Sequence, residues 1–152
     1  MNLIVFAIII ILCFYILCYF TYPKEIMIIQ SDLENFDINN LLSKQPIIID
    51  TKILHCNHVI ISWFSILNII RDVNIIDNQI FKNKYKYLVI HPENDVNIFL
   101  NSPKQKMTDL LEIQLKEKQL LIVPYNWNIL IENTKKIKFV GIHDCISYLV
   151  NP

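Results

Sequence analysis

The sequence predicts an N-terminal transmembrane α-helix followed by a mainly β or α+β domain, a sandwich or barrel with one buried helix. Three observations carry this expectation. Residues 3–20, LIVFAIIIILCFYILCYF, contain no charge and no proline. Six short apolar runs succeed one another from Lys84 to His143, joined by short polar segments. One longer apolar run, HVIISWFSILNIIRDV at 58–73, has helical rather than alternating spacing.

The first run suits a bilayer. At about 1.5 Å per residue it rises about 27 Å, close to a hydrocarbon core of about 30 Å. Tyr15, Tyr19 and Tyr22 gather at its C-terminal end, where amphipathic rings suit the headgroup region, and Pro23-Lys24-Glu25 stops the helix. A cleaved signal peptide needs a basic start and small residues before the cut. Met1-Asn2 and the bulky Tyr19-Phe20 offer neither, so an uncleaved single-pass anchor is expected. Lys24 and Lys44 follow the span, which favours a cytoplasmic C-terminal domain. Cys13 and Cys18 lie in the span, so Cys56 and Cys145 alone make no disulfide framework, and the sequence has no Asn-x-Ser/Thr acceptor. Both features fit a reducing side.

A chain of 152 residues holds one core after the anchor is set aside. Its 14 basic and 14 acidic side chains balance, leaving no field that attracts nucleic acid. Isoleucine, asparagine and lysine abound, whereas Arg71 and Gly141 are the sole arginine and glycine. Those preferences match A/T-rich codons, as in the genome of a large DNA virus or a parasite. A single glycine also excludes a Gly-rich phosphate loop.

After the span, EIMIIQ at 25–30 and PIIID at 46–50 read as strands, the second opened by a proline that suits a first strand position. Between them, 31–45 reads as a short helix or turn that Ser31 caps, with Asp37 opening a second turn. In 58–73, Val59, Trp63, Ile66 and Ile70 share one helical face and Asn57 is the cap, so length and spacing favour a buried helix. The β runs are 84–91, 95–101, 110–116, 119–124, 127–133 and 136–143. Leu111, Ile113 and Leu115 alternate strictly with Glu112, Gln114 and Lys116, the pattern of a strand with one wet face. The organisation is thus an anchor at 1–22, a membrane-proximal strand and connector at 23–43, and a β domain at 44–152.

Three clusters invite chemistry. His55-Cys56-x-His58 pairs imidazole with thiolate, as zinc sites do, but no fourth ligand stands at a familiar spacing and a capped loop explains it as well. His143-Asp144-Cys145 has the residue types of an activated thiol; alternation separates Asp144 from the other two, and no oxyanion loop accompanies them. The expected role of Asp144 is to cap the turn CISYLV, with Ile146, Leu149 and Val150 packed inward. Tyr125 and Trp127 read as core or rim aromatics, and Trp63 as a helix anchor in the core. Lys135, Lys136 and Lys138 form a basic hairpin tip, either solvated or set against anionic lipid or an acidic partner.

Two segments carry a family resemblance. Lys44-Gln45-Pro46-Ile47-Ile48-Ile49-Asp50 and Gln119-Leu120-Leu121-Ile122-Val123-Pro124-Tyr125-Asn126-Trp127-Asn128, with a final Gly141-Ile142-His143-Asp144, resemble the cupin-like domains related to Jumonji C oxygenases. The likeness spans about residues 44–149 and extends to small membrane-anchored proteins of large DNA viruses that carry a degenerate form of the domain. It implies a double-stranded β-helix, a jelly-roll-like sandwich. Enzymes of that family hold iron with two histidines and a carboxylate. Here Asn128 occupies the last ligand position, and His91-Pro92-Glu93 is the sole His-x-acid match, a two-ligand remnant. The resemblance therefore implies a non-enzymatic interaction domain with no cofactor, on a viral membrane or virion protein. Its partners would be the lipid bilayer and other membrane or virion proteins, and its site a host intracellular or virion membrane. The alternative is a membrane-tethered metal-dependent oxygenase using His91 and Glu93.

Overall fold

Side-chain alternation decides how the strands stack. The computed structural model describes residues 3–51, 62, 64, 68–75, 79–106, 109–132 and 136–150. Helix α1 is Leu3–Phe20; the strands are β1 Ile29–Asp32, β2 Ile47–Asp50, β3 Ile69–Val73, β4 Phe81–Lys82, β5 Tyr87–Pro92, β6 Val96–Asn101, β7 Leu111–Leu115, β8 Gln119–Pro124, β9 Asn128–Ile131 and β10 Ile137–His143; helix α2 is Cys145–Val150. One sheet has the order β1-β2-β8-β5-β10-β3 and the other β4-β9-β6-β7.

The antiparallel pairs are nested. β6 pairs with β7, β5 with β8, β4 with β9 and β3 with β10, so the chain from 69 to 143 is one long folded hairpin with its tip between β6 and β7. Rolling that hairpin brings β10 beside β5 and β9 beside β6, which completes the two sheets. β2 extends the first sheet beyond β8, and β1 adds to it in parallel.

Leu88, Ile90, Leu121, Val123 and Phe139 of the first sheet meet Ile98, Leu100, Ile113, Leu115, Ile129 and Ile131 of the second, with Trp127 at one end. Burying each such side chain stabilises the fold by about 1.5–3 kcal/mol relative to exposure. The opposite face of the first sheet builds another core from Ile47, Ile49, Val89, Leu120, Ile122 and Ile142 under Leu41 and Phe64. That sheet is covered on both faces, which is why QLLIVP is apolar without alternation. The second sheet is covered on one face, and LEIQL alternates accordingly.

Residues 33–43 form two 3₁₀ turns, Leu33–Asn35 and Ile38–Ser43. The Asp37 carboxylate accepts the Asn39 N–H at 2.9 Å, the expected cap, and Lys44 ends the second turn in the left-handed region at φ 55°. Ser31 is part of β1 instead of capping. Buried Gln45 ties the chain before β1 to β2: its Nε2 donates to the Glu25 carbonyl at 2.7 Å and its Oε1 accepts the Met27 N–H at 3.2 Å.

Several expectations are corrected. Residues 69–73, read as the end of a buried helix, form strand β3 along β10. Ile69, Ile70 and Val73 are β-branched and favour a pleated surface once β10 offers a ladder. Most of 52–67, including Trp63, lies outside the described residues. The first strand begins at Ile29 rather than Glu25. Strand β4 is two residues long, with too little pattern to be read from sequence. Leu149 points outward, at 79% exposure, rather than packing inward.

Candidate functional site

Where the cupin resemblance implies iron, the end of the sandwich is built by the turn Pro124-Tyr125-Asn126-Trp127. Asn126 takes φ 71°, a left-handed conformation that asparagine tolerates. Buried Asn83 holds this turn from the neighbouring loop. Its Nδ2 donates to the carbonyls of Val123 at 2.9 Å and Pro124 at 2.8 Å, and its Oδ1 accepts the Tyr85 N–H at 2.9 Å. Its backbone bonds Trp127 and Asn126, each at 2.8 Å. Sequence reading missed this residue because a lone asparagine in a polar joint carries no local signal.

Strand β9 leaves the turn with Ile129 and Ile131 directed between the sheets, so alternation sends Asn128 to the outer face. There the Asn128 Nδ2 lies 3.4 Å from Oδ1 of Asn101, its register partner on β6. The Asn101 amide in turn donates to the carbonyls of Lys106 at 2.7 Å and Asp109 at 3.1 Å. The residues opposite on β4 are Phe81, facing Ile129, and Lys82, facing Asn128. The interior is filled by Trp127, Ile129 and Leu100, with Phe81 packed against them. The Trp127 indole N–H, buried without a hydrogen-bond partner among the described residues, is a donor only and ligates no cation. The described residues at this end of the sandwich do not supply a two-histidine, one-carboxylate iron set.

His91 and Glu93 lie elsewhere. His91 is on β5 opposite Lys138 of β10, and Tyr87, not His91, is the β5 residue opposite Pro124. Four residues of strand put His91 about 13 Å from that end. Burial and Lys138 push its imidazole pKa down, with Glu93 opposing. Glu93 is exposed beyond the strand, its N–H donating to the Lys136 carbonyl at 2.8 Å. His55, Cys56 and His58 lie outside the described residues. Among the described residues, no group of three or more His, Cys, Asp or Glu stands close enough to hold a metal ion.

The densest polar cluster joins α1 to the domain. Asp144 caps α2 as expected, its Oδ1 accepting the Ser147 N–H at 2.9 Å. Its Oδ2 accepts the Tyr15 hydroxyl of α1 at 2.9 Å and lies 3.3 Å from the Lys86 ammonium. Burial pushes the carboxyl pKa up, but the Ser147 N–H, Lys86 and Tyr15 together hold it below the ordinary carboxylate value. It is an ionised, fully engaged anchor point rather than a base. His143 Nδ1 lies 3.3 Å from Ser147 Oγ, its ring packs 4.6 Å from that of Tyr85, and Cys145 is exposed on α2. Burial and Arg71 keep this imidazole's pKa low against the pull of Asp144. The carboxylate and the imidazole of this set are thus engaged in capping and packing, and the thiol is exposed.

A second clamp closes on the end of α1, whose last turn has no basic residue of its own. Lys44 supplies the charge: its ammonium donates to the carbonyls of Cys18, Tyr19 at 2.8 Å and Thr21 at 2.7 Å. Lys104 donates to the Tyr22 carbonyl at 2.6 Å, and the Tyr19 ring packs 4.9 Å from that of Tyr125. The three tyrosines expected at the headgroup level are therefore also the helix's grip on the domain. No protein-family model matches the chain, and no curated protein matches it significantly.

Proposed function

We propose that the chain is a single-pass membrane protein whose β domain is a cupin-like jelly roll that works by binding rather than by catalysis. Support for the jelly roll comes from the nested strand order. Numbered from β3 to β10, the strands run 1-8-3-6 in one sheet and 2-7-4-5 in the other, the order of a rolled double-stranded β-helix. The observation that carries the non-catalytic reading is the packing at the turn end. Ile129, Trp127 and Leu100 fill the interior, while Asn128 faces outward onto Asn101.

The outer face of the second sheet is the surface offered to a partner protein of the same membrane, with exposed Asn97, Glu112 and Gln114 around half-buried Phe99 and Leu130. Lys24, Lys44 and Lys104 near the domain end of α1 favour a cytoplasmic domain. The A/T-codon bias and the resemblance favour a membrane or virion component of a large DNA virus. The test is elemental analysis of the full chain, purified in detergent and dialysed. Iron, zinc and manganese well below one per chain are expected; a stoichiometric metal that survives dialysis overturns the non-catalytic reading.

A further inference from the structure

We infer that the rim of the domain around α1, made by α2 and the 3₁₀ turn Ile38–Ser43, is seated in the interfacial layer of the bilayer that α1 crosses. This rests on α1 spanning the membrane. The 18 residues of α1 are just enough to cross the hydrocarbon, so none is left over as a stalk. Tyr15 stands five residues inside Phe20, about 7.5 Å below the boundary. Its side chain leans toward the helix N-terminus, so its hydroxyl is no shallower than its Cα.

That hydroxyl bonds Asp144, the cap of α2, so α2 lies at the same depth. On the other side, Lys44 grips the last carbonyls of α1 and draws down the 3₁₀ turn that precedes it. The side chains these elements leave uncovered suit lipid: Leu149 is 79% exposed, Leu42 77%, Ile38 52% and Tyr148 36%. Apolar groups reaching about 5–10 Å into the headgroup and acyl boundary are the usual mode of interfacial seating. Asp144 is equipped for that depth, since a carboxylate leaving water needs its lone pairs filled, and Tyr15, Lys86 and Ser147 fill them.

The test places an environment-sensitive nitrobenzoxadiazole dye in the full chain reconstituted in phosphatidylcholine vesicles. Dye positions are Leu149→Cys, Leu42→Cys, Leu12→Cys within the span and Glu112→Cys on the far sheet, in a background with Cys13, Cys18, Cys56 and Cys145 changed to Ser. The inference predicts that dyes at 149 and 42 are quenched by shallow doxyl lipids and shielded from aqueous iodide, with 112 the reverse and 12 quenched by deep doxyl lipids. If 12 is lipid-quenched while 149 and 42 are as open to iodide as 112, α1 spans and the inference is wrong. Shielding of 149 and 42 from both quenchers means that protein covers the rim, which also overturns it. If 12 escapes lipid quenching, the spanning reading itself fails. On the unmodified chain, a bilayer-partitioning diazirine labels 38–42 and α2 along with α1, and labelling confined to α1 contradicts the inference.

Discussion

Tyr15→Phe and Asp144→Asn, made singly and together, isolate the bond between anchor and domain. Asparagine caps a helix about as well as aspartate, so the cap that Asp144 supplies to Ser147 survives the change. What is lost is the carboxylate that accepts the Tyr15 hydroxyl at 2.9 Å and pairs with Lys86 at 3.3 Å. A hydrogen bond to a charged group contributes about 1.5–3 kcal/mol. The lower end applies here, because Lys86 and the Ser147 N–H remain on the carboxylate when Tyr15 is changed. The Lys86 side chain is 30% exposed, so water softens the loss of its partner. Asp144→Asn is expected to cost about 2 kcal/mol, Tyr15→Phe about 1.5 kcal/mol, and the pair to show a coupling of about 1 kcal/mol or more. At about 2–4 °C per kcal/mol for a chain of this size, the single changes separate clearly in a thermal melt followed by tryptophan emission in detergent micelles. Additivity within about 0.3 kcal/mol would refute the contact and leave the Lys44 and Lys104 clamp as the link between α1 and the domain.

Asn83→Ala strips the turn before β9 of three side-chain hydrogen bonds, leaving the Pro124 carbonyl and the Tyr85 N–H without this partner, while the Val123 carbonyl keeps its place in the ladder with Leu88. At about 1–3 kcal/mol for each buried orphan, a loss of at least about 2 kcal/mol is expected by denaturant titration, and a loss under about 1 kcal/mol would contradict the hub role. Acid acts in two steps. His91 and His143 are held below the ordinary 6.5, so the unfolded chain binds more protons than the fold. Stability is therefore full above pH 6.5 and falls as pH drops toward their folded values. Asp144, held below 3.8, contributes stability that is present above that pH and is lost as pH falls through its folded value. Melting temperatures measured across this range should fall in both windows, and His143→Asn should flatten the first; a rise on acidification would reverse the assignment.

The strands were legible where one property decided them. LEIQL alternates because its sheet has a wet face, and QLLIVP runs apolar because its sheet has none. Asp144 was legible as a cap from its place before CISYLV, but its bonds to Tyr15 and Lys86 join residues far apart in the chain and leave no local trace. Ile69–Val73 misled because an apolar β-branched run is ambiguous until a neighbouring strand is known. Gly141 was noticed as the sole glycine, and its reason is spatial: a Cβ there would lie 2.8 Å from Cγ of the Tyr85 ring packed over it. Asn128 was read as a ligand position by resemblance, whereas the outcome turned on which face of β9 it occupies.

That orientation is open to one direct measurement. If Asn128 were a decayed ligand facing the interior, Asn128→His would restore an imidazole to a metal site. If it faces Asn101 on the outer surface, the histidine has no companions. Titration of the full-length Asn128→His variant with cobalt(II), followed by visible absorption, should match the parent chain with no new saturable band. A one-to-one site gained by the variant alone would contradict the account.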